Sequence, residues 1–163
     1  MRGVQQTKIE FNNSAKINLN IANIKANQYA GGFAGSLENG GTINVNTQKV
    51  QLSPLMSIRG NSGLGGFSGI IVSTNLKGDY KPNFSDTDVI TNKDNTPFFA
   101  GKINSDDKSS SAQYIGGIAG SVDNSSIEGF YVTPSLCGNR YVGGIAGSVN
   151  NTTVYNCAAN CGV

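Results

Sequence analysis

The sequence predicts an all-β protein: a parallel β-solenoid, or β-helix, of irregular coils with little or no helix, running as one repetitive domain over residues 1–163. Three observations predict it. A glycine-rich segment recurs along the chain, apolar residues inside each copy alternate with small polar ones, and each full copy closes on an asparagine. No stretch sustains the 3.6-residue apolar period of an amphipathic helix.

The recurrence comes first, because self-similarity at a spacing of roughly 20–50 residues marks solenoids and related arrays. Three segments align without a gap: Tyr29-Ala-Gly-Gly-Phe-Ala-Gly-Ser-Leu-Glu-Asn39, Tyr114-Ile-Gly-Gly-Ile-Ala-Gly-Ser-Val-Asp-Asn124 and Tyr141-Val-Gly-Gly-Ile-Ala-Gly-Ser-Val-Asn-Asn151. Their shared positions are Tyr29, Gly31, Gly32, Gly35 and Asn39; Tyr114, Gly116, Gly117, Gly120 and Asn124; and Tyr141, Gly143, Gly144, Gly147 and Asn151. A copy over 63–69 keeps Gly65, Gly66 and Gly69 but lacks the tyrosine, and Phe98-Phe-Ala-Gly101 reads as a degenerate fifth anchor. Irregular spacing of these anchors fits coils that carry loops of different length. It fits the more even blades of a propeller less well.

Within a copy the period is two, the alternation of a strand. Phe33, Gly35 and Leu37 point one way, and Ala34 and Ser36 the other. Phe33, Phe67, Ile118 and Ile145 are therefore expected inside, touching from coil to coil. The Gly-Gly pair allows close backbone approach or a positive φ at a corner. The recurring asparagines suit the turn that ends the strand, and identical asparagines on successive coils can bond in a ladder. The opposite face carries Ala34, Ser36, Ser68, Ala119, Ser121, Ala146 and Ser148, a small, uncharged strip expected to be covered. Its cover is either the segment around Ile17-Asn-Leu-Asn-Ile21 or another subunit.

Composition narrows the partners. Charged residues make up 13% of the chain, about half the usual share. The 12 basic and 10 acidic residues leave a net charge of +2 with no basic cluster in the sequence, so no nucleic-acid partner is expected. No apolar run approaches the roughly 20 residues of a membrane span, so no membrane insertion is expected. Residues 1–6 lack the apolar centre of a signal peptide and read like the interior of a longer chain.

Chemistry-bearing groups are sparse. The chain has no histidine, which removes the commonest general base and the serine triad. Asp86 and Asp88 alternate within one segment and could contribute to a calcium site, although solvated turn residues are the simpler reading; Asp106 and Asp107 lie in a serine-rich loop. No carboxylate pair is framed as a glycosidase requires. The copy at 63–69 is followed by Ile70-Ile-Val72, a strand pattern, where a phosphate loop needs a helix. No catalytic residue, metal or cofactor is expected. Cys137, Cys157 and Cys161 allow one disulfide, Cys137 with Cys157 or Cys161, or three free thiols. Tyr29, Tyr114 and Tyr141 share one repeat position and form a row if coils stack; such a row can seal a core edge or bind sugar-ring faces. Sequons occur at Asn12, Asn83, Asn124, Asn150 and Asn151.

The Tyr-x-Gly-Gly-[Phe/Ile]-Ala-Gly-Ser-[Leu/Val]-x-Asn pattern, followed by Thr/Ser and Ile/Val, resembles the GLUG motif, a glycine-rich repeat of large bacterial surface proteins that include adhesins and secreted peptidases. The resemblance covers about half the chain and implies a repetitive extracellular or cell-surface module; it does not imply a catalytic activity. Three readings follow. The first is a structural or adhesive module whose stacked β surface attaches to a protein or glycan. The second is a filament subunit that stacks on copies of itself through open strand edges. The third and weakest is a carbohydrate-active β-helix enzyme.

Overall fold

The computed structural model describes residues 17–19, 23–47, 50–82, 97–104 and 111–162. Among them every regular element is a strand, and the strands pair in parallel. The chain winds through successive coils, each contributing short strands to five faces. The first coil holds β1 (Ile17–Leu19), β2 (Asn23–Lys25), β3 (Gln28–Gly31) and β4 (Ala34–Asn44). The second holds β5 (Val50–Leu52), β6 (Ser57–Arg59), β7 (Ser62–Gly65) and β8 (Ser68–Lys77). The long β4 and β8 each run through the fourth and fifth faces, and β4 carries a register shift between Glu38 and Gly41 where the two faces meet. The third coil enters through a bridge at Phe99 and continues as β9 (Lys102–Ile103), β10 (Gln113–Gly116), β11 (Ala119–Asp123) and β12 (Ser126–Glu128). The fourth is β13 (Tyr131–Val132), β14 (Ser135–Leu136), β15 (Arg140–Gly143), β16 (Ala146–Asn150) and β17 (Thr153–Tyr155). A fifth starts with β18 (Ala158–Ala159) and a bridge from Gly162 to Ser135.

Stacking in register sorts the sequence into columns. Ile24, Ile58, Ile103 and Leu136 form one column on the second face. Ala30, Leu64, Ile115 and Val142 form another on the third. Leu37, Ile71, Val122 and Val149 line the fourth, and Ile43, Leu76, Ile127 and Val154 the fifth. In the inner coils these side chains are fully buried. The strand period thus turns each one-residue pattern into a continuous apolar column. Phe33 and Phe67 stack with centroids 4.7 Å apart, and Phe98 and Phe130 extend the aromatic contacts across the interior.

The Gly-Gly columns stack as expected: Gly31 pairs with Gly65, Gly65 with Gly116, and Gly116 with Gly143. Close approach is what demands them. The Gly117 amide donates to the Gly144 carbonyl of the next coil at 3.1 Å, and a Cβ on Gly117 would lie 2.2 Å from that same oxygen. A Cβ on Gly116 would lie 2.1 Å from the Ala119 carbonyl across its own tight corner. None of the paired glycines has a positive φ; that conformation falls elsewhere in the motif.

Two expectations change. Residues 98–101 are not a repeat anchor, because Phe99 bridges Val132 and so lies on the first face, one side away from the glycine columns. The 51-residue separation between coils two and three is one coil enlarged by insertions, against 27 between coils three and four. The strip of small residues is not covered by Ile17–Leu19, the first of its two candidate covers. Ser68 and Ala119 are buried because their Cα atoms pack against Gly31 and Gly65 of the preceding coil, while Ile17–Leu19 pairs with β5 on a different face. Ser36, on the same strip, is exposed.

Candidate functional site

The tyrosine column is the most unusual surface feature. Tyr29, Tyr114 and Tyr141 all have left-handed backbones, with φ of 53°, 57° and 55°, and Gly63 takes the same place in coil two with φ 64°. For an L residue this conformation costs roughly 1–2 kcal/mol, so packing must impose it. The kink turns the tyrosine carbonyl inward, against the closing glycine. A Cβ on Gly120 would lie 2.5 Å from the Tyr114 carbonyl oxygen, and one on Gly147 would lie 2.4 Å from that of Tyr141. The tyrosine and the glycine six residues on are therefore one device: the glycine accepts the carbonyl, and the ring is thrown outward.

The rings face solvent. Tyr29 is 46% and Tyr141 53% exposed. The Tyr114 and Tyr141 rings stack with centroids 4.8 Å apart and planes within 8°, matching the strand spacing. In coil two the ring is missing, and Tyr29 leans into the space: a Cβ on Gly63 would sit 2.6 Å from Tyr29 Cδ1. Of the two roles expected for this row, sealing a core edge or offering ring surface, the geometry places the rings outside the apolar columns.

Amides border the row. Asn61 Nδ2 donates to Asn27 Oδ1 at 2.8 Å at the corner just before it, and Gln28, Ser62, Gln113 and Arg140 form the adjoining column. At the far corner the repeat asparagines behave as expected. Asn39, Asn124 and Asn151 all have positive φ, Ser73 replaces them in coil two, and Asn151 Nδ2 donates to Asn124 Oδ1. Next to them runs a hydroxyl column. The Gly40 amide donates to Thr74 Oγ1 at 2.9 Å, the Thr74 amide to Ser125 Oγ at 3.0 Å, and the Ser125 amide to Thr152 Oγ1 at 3.4 Å. Sequence reasoning missed this column and the Asn27–Asn61 pair. The signal for the first was the Ser or Thr that directly follows Ser73, Asn124 and Asn151.

The cysteines do not pair. No disulfide joins them in this structure, because stacking sets Cys157 and Cys161 each against a residue other than cysteine. Tyr131 pairs with Ala158, which places Cys157 under Phe130, and the Ser135–Gly162 bridge places Cys161 under Pro134. Burial raises the thiol pKa of both Cys157 and Cys161. Asp86, Asp88, Asp106, Asp107 and the sequons at Asn12 and Asn83 lie outside the described residues. Among the described residues no group of three His, Cys, Asp or Glu could hold a metal ion, and no helix is long and apolar enough to cross a membrane.

Charged groups on the fourth and fifth faces are bound within the fold. Glu128 accepts from the Tyr155 hydroxyl at 2.6 Å and pairs with Lys77 Nζ at 3.3 Å. The Tyr155 hydrogen bond, with help from Lys77, holds the Glu128 carboxyl below its ordinary range. Comparison with protein-family models, curated proteins and solved structures finds no match for this chain.

Proposed function

We propose that the chain is an extracellular structural or adhesive module whose stacked outer surface attaches to a glycan or protein partner. The observation that carries this reading is the strained tyrosine column. Each ring is held outside the core at a backbone cost, and the rings are left partly exposed, with amides alongside. Exposed aromatic faces with a polar rim suit sugar rings and protein side chains alike. The motif's resemblance to the repeats of bacterial surface proteins supports the same class. The test is binding of the intact chain to a glycan array and to whole bacterial and animal cells, with a Tyr29→Ala/Tyr141→Ala variant beside it. The variant should bind on the order of tenfold more weakly while its circular dichroism is unchanged. A chain that binds none of these surfaces refutes the reading.

A second reading, end-to-end assembly, is favoured by the last full coil. Strands β15, β16 and β17 each end their sheets, and Val149 and Val154 on them are 54% and 38% exposed. An apolar edge of this kind pairs readily with further strands, whether of the same chain or of a second copy. Light scattering over a range of chain concentrations tests it: growth into oligomers supports assembly, and a constant monomer mass excludes it.

A further inference from the structure

The tyrosine row contains one pair set apart from the other tyrosines of the chain. Tyr114 sits on β10 and Tyr141 on β15. Their neighbours pair in register, Gln113 with Arg140 and Ile115 with Val142, which sets the two tyrosines opposite each other. Both backbones are left-handed, with φ of 57° and 55°, so the two side chains leave the fold in the same direction. The rings lie with centroids 4.8 Å apart and planes within 8°. Equivalent carbons of the two rings, the ortho carbons beside the hydroxyls included, are then about one strand spacing apart. Tyr114 is half-buried and Tyr141 is 53% exposed, so small solutes reach the pair.

The chain has six tyrosines, and the other four are placed differently. Tyr29 has no ring opposite it in coil two, because Gly63 takes that position. Tyr80 and Tyr131 meet with centroids 5.7 Å apart and planes 27° apart, a wider and more tilted contact. Tyr155 gives its hydroxyl hydrogen to Glu128 at 2.6 Å. Tyr114 and Tyr141 alone are both parallel and one strand spacing apart. They also bridge an interface that gains from a covalent link. Among the described residues, β15, β16 and β17 are held by coil three and end their sheets, and no disulfide joins the cysteines.

We propose that Tyr114 and Tyr141 are a site of oxidative coupling, in which a carbon–carbon bond between the two rings staples coil four to coil three. The co-reactant is hydrogen peroxide, acting through a peroxidase-type one-electron oxidant. Each phenol gives up one electron and its hydroxyl proton. The two radicals pair their electrons in a bond between ortho carbons. Each of those carbons then releases its hydrogen as a proton while each oxygen takes one up, which restores both phenols. Two hydrogen atoms leave in all, and one peroxide is reduced to two waters. Exposed side chains change rotamer rapidly, so the rings can swing from the stacked to the bonded geometry. Holding them side by side makes the coupling intramolecular and favours it over coupling between chains. The new bond closes the loop from Tyr114 to Tyr141, which restricts the unfolded chain as any cross-link does. The coupling requires no attachment partner and goes beyond the attachment reading.

The test treats the intact chain, at low concentration, with hydrogen peroxide and a peroxidase. The proposal expects a monomer lighter by two hydrogen atoms, with the blue fluorescence of coupled phenols. Tandem mass spectra of a digest should place the link between Tyr114 and Tyr141. Tyr114→Phe and Tyr141→Phe keep the ring and remove the hydroxyl; each should lower the fluorescence at least about tenfold, while Tyr80→Phe should match the parent. In the coupled chain, amide exchange in β15 should slow at least about tenfold relative to the uncoupled one. If a phenylalanine variant fails to fold, the link mapped in the parent decides. A link mapped chiefly to Tyr80 and Tyr131 overturns the site. So does full fluorescence in Tyr114→Phe or Tyr141→Phe, or the absence of any coupled product. Covalent dimers in place of the monomer product, in a share that rises with chain concentration, overturn it in favour of coupling between chains. A coupled chain with unchanged exchange in β15 overturns the staple. All these outcomes leave the attachment reading untouched, because no glycan or cell is present.

Discussion

Coils three and four carry nearly the same sequence and meet opposite fates. Tyr114–Asn124 and Tyr141–Asn151 differ only at Ile115/Val142 and Asp123/Asn150. In coil three Ile118 and Val122 are 0% and 1% exposed; in coil four Ile145 is only partly buried and Val149 is 54% exposed. Burial in a stack is therefore set by the neighbours a coil has, more than by the residues it contains. Such a molecule is close to a one-dimensional array, in which each unit is stabilised mainly by the interfaces on its two sides. Among the described residues coil three pairs on both sides on the second to fifth faces. Coil four has one interface over its third to fifth faces, because only β18 and Gly162 continue the chain beneath it among the described residues.

The largest effect separating the two coils should come from a charge placed in equivalent columns. Val122→Lys buries an ammonium in the column between Ile71 and Val149 with no partner, which costs several kcal/mol and should unfold the chain. Val149→Lys places the same group at a half-exposed edge, where it can reach water, and should cost under about 1 kcal/mol. Urea denaturation followed by circular dichroism measures both. Equal destabilisation by the two variants would mean that the last coil is as enclosed as the third.

Truncation sharpens the same contrast at smaller scale. Ile118→Ala removes buried methylenes and leaves a cavity between two coils, at a cost of about 3–4 kcal/mol. Ile145→Ala should cost roughly half of that, because solvent already reaches its column. A ratio near one in their urea midpoints would contradict the geometry. The asparagine ladder comes next. Asn124 both donates to Asp123 and accepts from Asn151, whereas Asn151 only donates. Both hold positive φ, so either alanine variant pays about 1 kcal/mol in backbone strain. Asn124→Ala should exceed Asn151→Ala by a few tenths of a kcal/mol.

Much of this architecture was legible in the sequence, because parallel stacking converts a repeat directly into columns. The pairing of the glycine copies, the inward set of Phe67, Ile71, Ile118 and Val122, and the Asn124–Asn151 bond all follow from aligning the copies. The rest depended on where strands outside the motif fall. Phe98–Gly101 resembles a repeat locally, but only the bridge to Val132 reveals its face. The left-handed tyrosines carried no compositional signal, since glycine and asparagine are the residues expected there. Their tell was indirect: the copy that lost its tyrosine has Gly63 in its place.

The smallest difference between the inner and outer coils should appear at alkaline pH. Beneath Phe130, which is fully buried, coil five places Cys157, and Cys161 lies close by against Gly144. Burial raises both thiol pKa values in the folded chain, so the unfolded chain ionises first. Whatever the thiols contribute to stability is complete below the unfolded thiol pKa of about 8.5 and is lost as pH rises through the folded values. The urea midpoint of the parent chain should therefore fall as pH rises from about 8 to about 9, below the range in which most tyrosine ionises. A Cys157→Ala/Cys161→Ala variant should show a flatter profile over the same window. Both thiols are partly solvated, so the slope is shallow, and it should be confined to the end of the stack: amide exchange, corrected for intrinsic rates, should quicken in β17 and β18 while β11 keeps its protection. Parallel profiles for parent and variant would show that the thiols at this end titrate as freely as they do in the unfolded chain.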